Sequence, residues 1–374
     1  MKFICEKLPF LAAILTASRA AATKSPVQLL EGLLVEACED NTVRISGYDL
    51  KIGIVTTVLA DVESPGGIVL NARLFGEIIR KMPGQYVEFS INSGAAATIV
   101  SEMSEFEILG TSAADYPELP SLEGDTAGVE IDEGILKKMI SQTNFAVSDN
   151  EIRPIHTGAL FEIAGGELTI VAVDGYRLAM RRERMEPELP PMSFVVPGVA
   201  LGEIERIASD GEDSRVAITL SEKHIMFTLG GTTLITRKLE GEFLNYKNSI
   251  PQTHTYTLKA EKSEFIKSVE RVSLITGDKI RSPVRCVFGD GIVQMSTMSA
   301  LGRAADECAI EGNADKLEIG FNDKYLLEAL RAAPSEEVNL LLSSSTAPCI
   351  ISPTDGSDGF LYMILPVRLK TYES

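Results

Sequence analysis

The chain has no CxxC pair, and its five cysteines, Cys5, Cys38, Cys286, Cys308 and Cys349, are odd in number and far apart. A disulfide framework and a thiolate zinc site are both disfavoured, and a reducing, cytoplasmic home is expected. The three histidines, His156, His224 and His254, are isolated, with no HExxH and no Ser/His/Asp spacing that forms a catalytic set. GxxxxGK[ST] is missing too, so no P-loop for ATP is expected. No apolar run approaches the roughly 20 residues of a membrane span. Lys2 and Lys7 ahead of Leu8 to Leu15 imitate a targeting segment, but Glu6 and Pro9 interrupt it. Phe10, Ala13, Ile14 and Ala17 fall instead at i, i+3, i+4 and i+7, the spacing of a helix lying on a core. Positive charge is scarce, with 35 basic against 53 acidic side chains and a net charge of -18. That excludes a protein that coats nucleic acid with its whole surface and leaves one that places its basic groups locally. A soluble protein without a cofactor is the expectation.

What is present is enough apolar residue for several cores. Hydrophobic residues make up 45% of 374, more than one compact core takes up, so two or three domains are expected. Self-comparison favours three. Val69-Leu70-Asn71 leads into Leu74, Ile78 and Ile79; Val195-Val196-Pro197 into Leu201, Ile204 and Ile207; Ile319-Gly320-Phe321-Asn322 into Leu326, Leu327 and Leu330. Asn or Pro at a helix entrance caps free N–H groups or fits the first turn, so these read as equivalent helices.

A hairpin precedes each of these helices, turning at Asp40-Asn41, Gly165-Gly166 and Gly289-Asp290-Gly291. A second hairpin follows each, turning near Ser93-Gly94, Ser221-Glu222 and Ser343-Ser344-Ser345. An amphipathic helix opens each repeat, around residues 7–20, 132–147 and 261–275. The fold class is α+β, three repeated domains of two helices on antiparallel sheet, with boundaries expected at 1–124, 125–252 and 253–374. The seams are Glu123-Gly124-Asp125-Thr126 and Pro251-Gln252-Thr253.

Charge is not spread evenly over this pattern. The six helical segments (7–20, 72–82, 132–147, 197–208, 261–275, 322–333) carry 13 basic and 10 acidic side chains, a net of +3 that leaves -21 elsewhere. The helices are therefore the basic layer of an acidic protein, the side that would face a polyanion.

Specific residues then resemble a known family. Val171-Ala172-Val173-Asp174-Gly175-Tyr176-Arg177-Leu178-Ala179 is similar to the Asp-Gly-His/Tyr-Arg-Leu-Ala signature of the bacterial DNA sliding clamp family, the beta subunits of DNA polymerase III. Tyr362-Met363-Ile364-Leu365-Pro366-Val367-Arg368-Leu369 is similar to that family's chain end. Ala113-Ala114-Asp115-Tyr116-Pro117, Gly320 to Leu326, Lys279-Ile280-Arg281 and Met1-Lys2-Phe3 match in order, so the resemblance spans the chain.

The resemblance implies three copies of one domain, two chains closing head to tail into a ring with helices lining the hole. It implies double-stranded DNA held without sequence preference, a homodimer, an external ATP-dependent clamp loader, and replicative and repair polymerases bound through short peptide tails. For the peptide pocket it points to Val173, Gly175, Tyr176, Arg177, Leu178, Leu244, Asn248, Ser249, Ile280, Asn322, Tyr325, Thr346, Pro348, Met363, Ile364, Leu365, Pro366, Val367 and Arg368. In this set Met, Ile, Leu, Val and Pro suit an adaptable apolar groove, with Arg177, Asn322 and Arg368 to orient peptide polar groups. DNA-facing positions are Lys24, Arg73, Arg80, Lys81, Lys137, Lys138, Lys267 and Arg271. The subunit contact falls on Glu105, Phe106 and Glu107 against Leu274, Ile275 and Arg303. The sequence departs from the family at Leu244, Asn248 and His156, and where the second helix of the middle repeat has Gly198 and Val199 in place of a basic pair.

Two other classes fit parts of the sequence. Asp49 and Asp174 hold equivalent repeat positions, and Asp174 near Arg177 suggests carboxylate chemistry, but Asp beside Gly at a strand end is turn chemistry more often than catalysis. An acidic scaffold that binds partner peptides without encircling DNA also fits the composition.

Overall fold

A computed structural model describes residues 1–92, 95–122, 127–185, 190–211, 214–276, 282–357 and 359–369. The first expected seam, the Ser93-Gly94 turn, Ile280 and the tail 370–374 lie outside these residues. The chain divides into two compact units, Met1–Lys137 with Gly202–Lys238, and Lys138–Leu201 with Leu239–Ser374. The cause is sheet pairing across repeats, which ties each half of the middle repeat to a different neighbour. Among the described residues no helix is long and apolar enough to cross a membrane.

The helices are α1 (Lys7–Ala17), α2 (Ala72–Lys81), α3 (Glu133–Ser141), α4 (Gly198–Ile207), α5 (Tyr246–Ser249), α6 (Lys262–Ser273) and α7 (Asp323–Ala332). Six stand where the sequence predicts them. α3 stops at Ser141 and is followed by a tight turn over Asn144–Ala146, and α5 is an addition that the repeat pattern did not announce. Asn71 and Asn322 act as the expected caps, accepting the N–H of Leu74 at 3.0 Å and of Tyr325 at 3.3 Å.

In the first unit a five-stranded antiparallel sheet runs in the order Asp61–Ser64, Lys2–Glu6, Tyr86–Ile91, Ala96–Ser101, Ser104–Leu109. A nine-stranded sheet continues from Ile52–Leu59 of the first repeat into Thr232–Arg237 of the second. α1 buries Phe10, Ala13, Ile14 and Ala17, the face that its spacing foretold. Phe3, Phe10, Phe75 and Phe89 interlock there at 5.0 to 6.1 Å between ring centres, edge-on or offset as aromatic quadrupoles prefer. Gly47 lets α1 approach its strand, since a Cβ would stand 2.1 Å from the Ala17 carbonyl oxygen.

In the second unit one ten-stranded antiparallel sheet joins the second and third repeats through Arg177–Arg184 against Phe360–Ile364. The run Val284–Ser299 doubles back about Gly289-Asp290-Gly291 as expected, because Thr297 Oγ1 lies 3.4 Å from the Pro283 carbonyl. α6 and α7 pack together, with Arg331 reaching Glu270 at 2.6 Å.

Candidate functional site

The groove residues gather where Arg177–Arg184 meets Phe360–Ile364, with Leu178 opposite Met363 and Arg177 opposite Ile364. The turn before them is the one the local residues dictate. Asp174 Oδ1 accepts the N–H of Tyr176 at 2.9 Å and of Arg177 at 3.0 Å, and Gly175 sits at φ +90°, so Asp174 forms the turn. Val173, Leu178 and Met363 are buried with Ile155, Leu160, Tyr246 and Ile350 in one apolar cluster. At its margin Tyr176, Leu244, Leu365 and Val367 remain exposed. The N–H of Leu365 donates to the Tyr176 carbonyl at 2.9 Å, and that of Val367 to Gly320 at 2.8 Å. Gly320 permits this approach, since a Cβ there would stand 2.5 Å from the Val367 oxygen.

Arg177 differs from its expected role. Its side chain is 6% exposed; Nε donates to Asp174 at 2.8 Å, Nη1 to Glu328, and Nη2 to the Phe145 carbonyl at 2.5 Å. The guanidinium also lies 4.4 Å from the Tyr325 ring centre and 5.4 Å from that of Phe145, and Tyr325 stacks on Tyr176 at 6.3 Å. Every nitrogen is engaged inside the protein, so Arg177 supports the groove's wall. Asn322 likewise commits its amide oxygen to capping α7.

α5 packs on the apolar cluster through Tyr246, with Leu244 just before it and Asn248 and Ser249 within it. Glu162, from the middle of a strand, anchors it: the Tyr246 hydroxyl donates to Glu162 at 2.6 Å and Lys247 Nζ at 3.0 Å. Burial acts to raise the Glu162 carboxyl pKa, but the Tyr246 and Lys247 bonds outweigh it and hold the carboxyl below its ordinary value. Burial, then Glu162, pushes the Tyr246 hydroxyl up. Thr346 and Pro348 stand on the loop before Cys349–Ser352, and Arg368 is exposed after Val367.

Of the DNA-facing candidates, Lys24, Arg73, Arg80, Lys81, Lys138, Lys267 and Arg271 are exposed and Lys137 is half-buried. Four are paired: Arg80 with Glu77, Lys137 with Asp210 at 2.9 Å, Lys267 with Glu264 at 2.7 Å, and Arg271 with Asp306. Lys24, Arg73, Lys81 and Lys138 have no acidic partner among the described residues, so they contribute unneutralised charge.

Among the described residues, the strands that pair on one side only include Ser104–Leu109 in the first unit and residues 302–309 in the second; Asp61–Ser64, Thr111–Ser112, Ala127–Asp132 and Met192–Pro197 are also sheet edges. Ser104–Leu109 and residues 302–309 each carry exposed apolar groups on or beside them: Phe106 and Leu109 in the first case, Leu301 in the second. Leu274 is 81% exposed, Ile275 is half-buried, and Glu105, Glu107 and Arg303 are exposed.

Comparison with known proteins follows the same frame. Models of the DNA polymerase III beta subunit match in series, the N-terminal domain over residues 1–120, the central domain over 130–245 and the C-terminal domain over 247–368. A beta sliding clamp of Staphylococcus aureus is 30% identical over 378 residues, covering 98% of this chain and 99% of the relative. The chain belongs to the beta sliding clamp family. Among solved clamps, a putative DNA polymerase III beta subunit from Eubacterium rectale has a TM-score of 0.92 at 31% identity, and the Bacillus subtilis sliding clamp 0.91 at 29%. Each comparison covers 99% of this chain and 100% of the other. A Pseudomonas aeruginosa clamp solved with griselimycin bound has a TM-score of 0.91 at 25% identity over the same share of the chains.

Several residues that pack or bond with the candidate groove residues or with α5 were not singled out in the sequence: Glu328, Phe145, Glu162, Tyr246 and Ile350. The signal for Glu328 was indirect, since a buried Arg177 demands countercharge. Its donor stands 151 residues away, beyond any spacing rule.

Proposed function

We propose that this chain is a processivity clamp, non-catalytic itself, that holds double-stranded DNA topologically as a head-to-tail dimer and tethers polymerases through the groove of the second unit. The observation that carries the reading is a strand pairing that recurs between successive repeats. Twice within the chain a strand of one repeat pairs with the next repeat, Ile52–Leu59 with Thr232–Arg237 and Arg177–Arg184 with Phe360–Ile364. The corresponding strand of the third repeat, 302–309, and the edge strand Ser104–Leu109 of the first are the two that a second copy would join. Glu105 and Glu107 would then face Arg303, an exposed attraction of about 0 to 1 kcal/mol, so apolar packing by Phe106, Leu274 and Ile275 supplies more of the closure.

Unneutralised Lys24, Arg73, Lys81 and Lys138 support contact with phosphates and no base readout, which makes binding independent of sequence and weakened by salt. Paired cations elsewhere keep the grip weak enough to slide. Opening requires an external ATP-driven loader, since the chain has no P-loop. The groove's exposed apolar margin suits short tails of replicative and repair polymerases, and griselimycin serves as its probe.

The test is retention: the protein, loaded on nicked circular DNA, stays bound and is released when the circle is linearised. Phe106→Asp or Ile275→Asp is expected to give monomers in sedimentation and to abolish retention. Unchanged dimer mass, or retention on linear DNA, contradicts the ring.

A further inference from the structure

Beside the groove lies an open cavity of about 570 Å³ between Arg153 to His156 and Glu240 to Asn245. It shares Leu244 with the groove, and its Ile155 and Phe243 belong to the groove's apolar cluster. His156 lines it. That residue is 9% exposed, its ring stands edge-on to Phe243 at 5.6 Å, and its imidazole has no hydrogen-bond partner among the described residues. Without such a partner, the imidazole keeps its hydrogen-bonding capacity for whatever occupies the cavity it lines. Exposed Glu240 and Glu242 line the same cavity, neither in an ion pair among the described residues, with Gly241 between them at φ +126°. Arg153 is the one cation among the lining residues.

We propose that His156, Glu240 and Glu242 determine partner specificity by taking a cationic side chain, Arg or Lys, that flanks the apolar anchor of a tail bound in the groove; this rests on the groove reading above. An ammonium or guanidinium is purely a donor, and the cavity offers it two carboxylates and the unprotonated nitrogen of an imidazole whose other nitrogen bears a hydrogen. Burial, then Arg153, lowers the His156 pKa, which favours the uncharged imidazole and its lone pair. An acidic side chain in the same place would face two carboxylates. Arg153 moderates the attraction and leaves the rim with a single net negative charge.

The test uses acetylated octapeptides with two central leucines and one flanking position set in turn to Arg, to its uncharged isostere citrulline, or to Glu. Binding is read by fluorescence anisotropy, with griselimycin binding measured on the same protein. At one flanking position Arg is expected to bind about threefold to fivefold tighter than citrulline, the scale of a partly exposed charge pair, and Glu weaker than both. The Glu240→Gln, Glu242→Gln double variant should erase the difference, and Glu240→Lys, Glu242→Lys should favour Glu, with griselimycin binding unchanged in each. Equal affinity for Arg and citrulline while griselimycin still binds overturns the inference alone, as does a preference that survives the double Gln variant. If neither griselimycin nor any peptide binds the unaltered protein, the groove reading falls and this inference with it.

Discussion

The apolar cluster of the first unit closes on itself, whereas that of the second opens to solvent. In the first, four phenylalanine rings interlock with no exposed surface. In the second, Val173, Leu178, Ile350 and Met363 are buried, but the cluster's margin at Leu244, Leu365 and Tyr176 is left bare. Large planar rings fill volume in a few fixed geometries and reward completeness, while Met and branched aliphatics leave an adaptable surface. One cluster is built to stabilise a unit and the other to be finished by a partner.

Substitutions separate these roles. Phe75→Ala is expected to destabilise the protein by about 3 to 5 kcal/mol in urea unfolding, because it empties the centre of the closed cluster. A loss below about 1 kcal/mol would mean that the rings do not act together. Glu328→Ala should cost about 1 to 3 kcal/mol, since it takes one acceptor from buried Arg177 and leaves Asp174 and the Phe145 carbonyl. Its thermal shift should exceed that of Glu77→Ala, which removes the partner of exposed Arg80.

A third expectation concerns pH. The Glu162 carboxyl is held below its unfolded value, so its support of α5 is present above the usual carboxylate range and lost as pH falls through the folded value. Griselimycin affinity should decline in acid, and Glu162→Gln should remove that part of the decline. A profile unchanged by the substitution would show that α5 stands without it. The smallest effect on stability belongs to Leu365→Ala at the open margin, within about 0.5 kcal/mol. The same variant should still weaken griselimycin binding; if stability drops and binding does not, the margin is core and the contrast between the clusters fails.

Much of this molecule was readable before its coordinates. The α1 face, the caps at Asn71 and Asn322 and the hairpin turns follow from local spacing, because helix and strand periods and the φ needs of turns are set within a few residues. The burial of Val173, Leu178 and Met363 in one cluster matches the alternation of their strands. The engagement of Arg177 was not legible, since Phe145 and Glu328 approach it from distant elements. Nor was α5, a four-residue helix too short to show a period.

Local order, the threefold recurrence of elements and the bias of basic residues toward helices are properties of the chain as written, because each depends on neighbours in sequence. Tertiary structure decided which cations keep an unneutralised charge, which strand edges stay open and how the middle repeat is shared between two units. Those outcomes depend on pairing between residues tens to more than a hundred positions apart, where distance in space, and not spacing along the chain, sets the interaction.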